Sequence, residues 1–332
     1  MSLRVIRRRV ASLATRATLL ATALLATALP AAAQTQPVPW KPTRPVTIVV
    51  PYSPGGGTDV MARQLAKEMA KRWDQPVNVE NSPGADGLIG TRRVIDAKPD
   101  GHTFVVQLPS LLLIRHLPNF KGIDPAAQLV PVSAFSVLSG VYVANSAIPG
   151  NTLAEVVKHC NSAPKPCSFG TTENTARLRL RMLQQDVPSM VVVNYKGGGQ
   201  LITDLLGNNV NVGSMGYTAV LPHMKSGLLK VLMTSGKQRS PILPDVPTAT
   251  ESGFPQLTGE TWYGLFAPLG TPPAVSRAVA AVVNDSLKEP ALLKSLAVLG
   301  ASPIGNTPEE FVALIREEDE RLNALVKRFP IE

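Results

Sequence analysis

Charge is scarce in this chain: 17% of its 332 residues are Asp, Glu, Lys or Arg, against 44% hydrophobic. That balance excludes a disordered polyelectrolyte and implies a sizeable core, with length for about two domains. Histidine is sparse too. His102, His116, His159 and His223 are scattered, and no HExxH or GxSxG pattern occurs. The usual zinc-hydrolase and serine-hydrolase signatures are therefore missing. Gly57 is followed by Thr58 and Asp59 rather than the lysine of a P-loop, and Val60 stands where a dinucleotide fingerprint needs its third glycine. No catalytic residue, cofactor or metal is expected.

Long apolar runs are also few. One, from Ala17 to Leu29, follows Arg4, Arg7, Arg8 and Arg9 and precedes Pro30-Ala31-Ala32-Ala33. A cationic start, a short apolar core and small residues at Ala31 and Ala33 form an export signal, residues 1–33, cleaved near Ala33. No later run approaches the ~20 residues of a membrane span. The expected location is the periplasm. Five arginines and no acid precede Gln34, so the 33 basic and 24 acidic residues become 28 against 24, a net charge of +4. Nucleic acid is not an expected partner, because much of the basic character belongs to the signal.

Cysteine is limited to Cys160 and Cys167. In an oxidising compartment the pair is expected to form a disulfide. Two free thiols or a metal pair is the alternative, but neither cysteine has a second CxxC or a histidine cluster to support it.

What the chain does have is alternation. β-Branched runs at Val46–Val50, Val77–Glu80, Thr103–Gln107, Val141–Ala144, Val191–Tyr195, Val210–Gly213, Leu229–Met233 and Trp262–Ala267 read as strands. Helical spacing falls between them, as in Met61, Leu65, Met69 and Trp73, with Thr58 or Asp59 as the expected cap. Further helices are expected at Pro273–Lys288, Pro290–Leu299 and Pro308–Arg328, the last opened by Thr307-Pro308-Glu309-Glu310. Strands alternating with helices give an α/β fold with a mostly parallel sheet. Two segments, Tyr52–Asp59 and Tyr195–Gln200, each place a glycine loop between a strand and a helix. Glycine lets backbone N–H groups turn toward a ligand, and a helix start adds unpaired donors, so each loop favours an anion. Taken singly, either loop reads equally well as a tight turn.

The ordered segments Pro45–Asp59, Val79–Gly87, Pro99–Thr103, Tyr195–Gly198 with Thr203–Gly207, Pro244–Thr248 and Trp262–Pro268 resemble the substrate-binding proteins of tripartite tricarboxylate transporters, the Bug family. The resemblance covers roughly residues 40–330. It implies a two-lobe periplasmic binding protein of the type II, Venus-flytrap kind, with the ligand cleft between the lobes. Lobe 1 is expected over 34–139 plus 262–332, and lobe 2 over 140–261. The implied ligand is a small organic acid, and the implied partners are the membrane permease subunits of such a transporter. A sensor kinase is a second possible partner, a secreted enzyme on the same fold a lesser alternative, and a monomer the expected state. The ligand-binding set so implied is Tyr52, Ser53, Gly55, Gly56, Gly57, Thr58, Asp59 and Ser110 from one lobe. From the rest of the chain it takes Thr171, Thr172, Asn174, Arg177, Lys196, Gly197, Gly198, Tyr217 and Trp262. Two departures from the family pattern fall at Gly170–Leu178, where Arg177 replaces a common histidine, and near Ser214–Tyr217.

Overall fold

The computed structural model describes residues 40–118, 120–195 and 198–331. The expected export signal at 1–33, and the loop residues Lys196 and Gly197, lie outside them. Strand β1 (Val46–Val50) pairs in parallel with β2 (Val77–Asn81) and β3 (Thr103–Gln107). Its Val46, Ile48, Val49 and Val50 are fully buried, as a strand covered on both faces requires. Helix α1 (Gly57–Trp73) joins β1 to β2, and α2 (Leu88–Ile95) joins β2 to β3. Met61, Leu65 and Met69 of α1 point into the core with Phe104, confirming the four-residue spacing.

The long strand β4 (Leu129–Asn145) ties two sheets together. From Leu129 to Ser139 it pairs antiparallel with β9 (Glu260–Pro268), which itself pairs with β3. From Gly140 to Ala144 it pairs with β7 (Val212–Gly216), and from Val141 to Asn145 with β8 (Leu229–Thr234). The second sheet continues through β5 (Ser168–Thr171) to β6 (Val191–Asn194), both parallel. Helices α3 (Leu153–Ser162), α4 (Asn174–Leu183), α5 (Gly198–Leu206) and α6 (Tyr217–Lys225) belong to this second part. The chain then returns through β9 to α7 (Pro273–Ser286), α8 (Pro290–Val298), the short β10 (Ala301–Pro303) and α9 (Pro308–Arg328). Thr307 caps α9 in a reciprocal capping box with Glu310, as its sequence predicts.

Separate cores support the two sheets. One packs α1, α7 and α8 on β1 and β3, and another packs Trp262, Phe266 and Phe311 beneath α9. The second sheet has Tyr142 and Phe169 on one face and Val141, Val143, Leu201 and Leu205 on the other. Cys160 at the end of α3 is disulfide-bonded to Cys167 before β5, with Cα atoms 5.5 Å apart. So short a loop contributes roughly 2 kcal/mol in the chain-entropy model.

Among the described strands and α-helices, three go beyond the sequence reading: the first half of β4, helix α6 and β10. The sequence of β4 carries Pro131 and Ser133 where its register with β9 shifts, so the alternation is broken at a bulge. Helix α6 is hidden by Gly216 before it and Pro222 inside it. Among the described residues no helix is long and apolar enough to cross a membrane.

Candidate functional site

Four helices begin on one cleft of about 640 Å³. Helix α1 starts after Gly56, α4 after Glu173 and α6 after Gly216, while Gly198 and Gly199 form the first turn of α5. Residues from all four starts line the cleft. None of the three described N-caps is made by a side chain. Uncapped helix starts leave backbone N–H donors and a partial positive charge available to an anion, each contributing roughly 0.3–1 kcal/mol at an exposed site and more when partly buried.

The expected cap on α1 needs correction. Gly56 is the cap residue, and neither Thr58 nor Asp59 caps the helix. Asp59 instead folds back behind the loop. Its carboxylate accepts from Gly55 N at 3.0 Å, Arg63 Nε at 3.1 Å and Asn81 Nδ2 at 3.0 Å. Burial pushes this carboxyl up, but those donors outweigh it and hold it below its ordinary value. Asp59 therefore shapes the glycine loop from behind and does not line the cleft.

Of the predicted residues, Tyr52, Ser53, Gly55, Gly56, Gly57, Thr58, Ser110, Thr172, Asn174 and Gly198 come together around this space. Four others do not line it. Thr171 is fully buried, and its hydroxyl accepts from Glu173 N at 3.3 Å. Arg177 sits one turn into α4, away from the lining. Tyr217 packs into the apolar core of the second sheet. Trp262 lies beneath α9, its ring centroid 5.4 Å from that of Phe311. Large aromatics are mostly buried, and the cores claim both.

The cleft also gathers residues that sequence reasoning missed, chiefly Glu173, Asp86 and Tyr263. Tyr263 faces the start of α1, where a Cβ added to Gly57 lies 3.1 Å from the tyrosine hydroxyl. Alternation along β9 carries the signal for it, since Trp262 and Tyr263 must face opposite ways. Asp86 stands on the rim in a left-handed backbone turn, φ 54°, beside Ala85 at φ 47°. A chain of hydrogen bonds ties that turn to the wall. Tyr52 Oη donates to Gln107 Oε1 at 3.1 Å, Gln107 Nε2 to Thr91 Oγ1 at 2.5 Å, and Thr91 Oγ1 to Gly87 O at 2.6 Å.

Glu173 is the half-buried acid of the cleft. It accepts from Thr261 Oγ1 at 3.3 Å and feels the buried Arg179 guanidinium, which shares with it the lining of a second, small pocket of about 20 Å³. Burial raises its carboxyl above the ordinary value, and Arg179 and Thr261 offset this only in part. Burial also pushes the Tyr52 and Tyr263 hydroxyls up, helped by the Glu173 charge, so both remain donors. The raised carboxyl has a consequence for stability. As pH rises past the ordinary glutamate value, the unfolded chain loses this proton before the folded protein does, so stability falls through that window. Glu173→Gln is therefore expected to raise the melting temperature by a few degrees near neutral pH and not at about pH 4. Calorimetry at the two pH values checks this; a gain equal at both removes the electrostatic account.

A family model described as tripartite tricarboxylate transporter family receptor matches residues 61–331. The chain is similar to Protein BugT of Bordetella pertussis, 32% identical over 291 residues, covering 86% of this chain and 89% of that one. Among solved structures it is similar to the periplasmic binding protein BugD at 28% identity, with a TM-score of 0.78 and coverage of 88% and 99%. It is also similar to MatC from Rhodopseudomonas palustris with bound malate, at 29% identity, a TM-score of 0.76 and coverage of 86% and 99%. A further R. palustris structure, with adipate, matches at 26% identity, a TM-score of 0.80 and coverage of 86% and 97%. With its two-lobe α/β fold and a cleft made of helix starts, this chain belongs to the tripartite tricarboxylate transporter family receptors, the Bug family.

Proposed function

We propose that the mature protein is a periplasmic receptor that captures a small organic acid and delivers it to the permease subunits of a tripartite tricarboxylate transporter. The observation that carries this is the convergence of four helix starts on one cleft. An acid there is held by backbone donors and by the Ser110, Thr58 and Asn174 side chains, without an arginine among the described lining residues. The volume suits a small ligand. Malate and adipate in two similar structures support the carboxylate class.

The change of β4 partner between Ser139 and Gly140 supports a hinge there, with the return crossing near Thr261. On this reading lobe 1 comprises 34–139 plus 262–332, and lobe 2 comprises 140–261. Ligand bridging both lobes favours a closed form, which the permease reads. The protein works by binding, not turnover.

The test is a thermal-shift screen of the refolded mature protein against di- and tricarboxylates, aromatic acids and amino acids. Refolding strips any ligand carried from the cell. A saturable shift with one acid supports the proposal, since a ligand that binds only the native state raises its stability. A folded sample that responds to no acid overturns it.

A further inference from the structure

The cleft of an acid receptor carries an acid of its own. Glu173 lines the space on which four helix starts open, and Asp86 stands on its rim. An ionised Glu173 repels an anionic solute, the more so in a half-buried setting where water screens less. No lysine or arginine occurs among the described residues of that lining. Glu173, Leu138, Met215 and Gly216 also line the second, small pocket, and there Arg179 joins them. Arg179 is the one base among the described residues of either lining.

Arg179 is placed for that acid. It is buried, and its charge acts on the Glu173 carboxyl, keeping it lower than burial alone would. Burying a guanidinium is costly, and hydrogen bonding does not fully offset the cost here, since Nε has no partner among the described residues. A Cβ added to Gly259 falls 2.5 Å from Arg179 Nη1 and 3.1 Å from Cζ, so the guanidinium lies against backbone that a side chain would close off. Thr261, on the same stretch of chain, donates its hydroxyl to Glu173 at 3.3 Å. Residues 259–261 thus seat both the base and the acid. The other ionisable groups that interact with Glu173 or its neighbours do not balance it. Tyr52 and Tyr263 stay neutral, and Asp86, which acts on Tyr52, is a further acid.

We infer that Arg179 is a positioning residue for anion capture: seated in the second pocket, it offsets the Glu173 charge, so that an acid binds in the cleft beside an ionised carboxylate. Arg179 touches no solute and acts through Glu173. This rests on the receptor reading above and names a residue that tunes its affinity.

The test compares the effect of Glu173→Gln in several backgrounds of the refolded mature protein at about pH 8, where an exposed carboxylate is fully ionised. Thermal melts and calorimetric titrations with malate and adipate are the two readouts. Arg179→Met is expected to weaken malate or adipate binding by about tenfold, and adding Glu173→Gln to restore it to within about threefold of the wild type. The gain in melting temperature from Glu173→Gln is expected to be about twice as large in Arg179→Met as in the wild type. Arg179→Lys, which keeps the charge, is expected to leave both effects of Glu173→Gln as they are in the wild type. An Arg179→Met protein that folds only when Glu173→Gln is added is the same rescue in its strongest form. If it folds in neither background, Arg179→Gln takes its place with the same expectations. A residue that merely packs leaves the effect of Glu173→Gln equal in every background, and that result overturns the inference. An equally enlarged effect in Lys196→Met assigns the offset to net charge and overturns it too. Where neither acid binds, the melts alone decide, whereas failure of every acid in the screen overturns the receptor reading.

Discussion

Gly198→Val is expected to weaken acid binding by about a hundredfold or more while the protein stays folded. The reason is local. Gly198 opens α5 at the cleft, and it does not adopt a left-handed backbone. A Cβ placed on it meets only the Met215 methyl at 3.6 Å, an ordinary contact. Valine is no worse than glycine in a helix, so the melting temperature should stay within about 2 °C. Its two methyl groups, however, occupy the space in front of the first-turn amides and displace the carboxylate from them. Titration with the acid found in the screen, beside a thermal melt, separates the two effects. Undiminished binding shows that the α5 start is not part of the cradle. Loss of binding together with loss of the cooperative melt assigns Gly198 to packing instead.

That distinction between glycines for ligands and glycines for packing explains much of what the sequence could reveal. The Gly55–Gly57 and Gly198 loops were legible because a strand, a glycine run and a helix in that order leave donors exposed. Gly170 and Gly213 lie in the same part of the chain yet serve the core: a Cβ on either meets a leucine side chain, of Leu201 or Leu205, at 2.5 or 2.7 Å. Nothing in their neighbours' spelling separates the two kinds. Glu173 was invisible for a different reason. A single acid in the stretch Thr171–Asn174 carries no periodicity, and only the fold brings it to the cleft that Tyr52 and Tyr263 also line. Asp59 misled by proximity, since a residue beside a glycine loop can turn toward the ligand or toward the loop's own backbone, and here it does the latter. Tyr217 and Trp262 show the limit for aromatics: walls and cores use the same residues.

Gly264→Ala should destabilise the fold by about 3 kcal/mol, at the upper end of overpacking costs, a fall of roughly 6 °C in melting temperature. Gly264 lies within β9, between Gln107 of β3 and Ala134 of β4. A Cβ there falls 2.2 Å from Phe311 Cζ, 2.8 Å from Phe311 Cε1 and 3.2 Å from Phe266 Cε2. The Phe311 ring has nowhere to go. It is fully buried and flanked by Phe266 and Trp262, with centroids at 5.1 and 5.4 Å. Interiors packed at crystal-like density do not absorb a methyl group freely, so either β9 bows or α9 lifts. Trimming the obstacle should rescue the variant. Phe311→Leu alone costs stability through the cavity it leaves, but the Gly264→Ala, Phe311→Leu pair should lose clearly less than the two single losses combined. Strict additivity contradicts the clash. The neighbouring residue makes the experiment speak to function as well. Tyr263 lies next along β9 and lines the cleft, so a bowed strand moves the wall that faces the start of α1. Ligand affinity should therefore fall in Gly264→Ala and return in the double variant, whereas a lifted α9 lowers stability and leaves affinity unchanged.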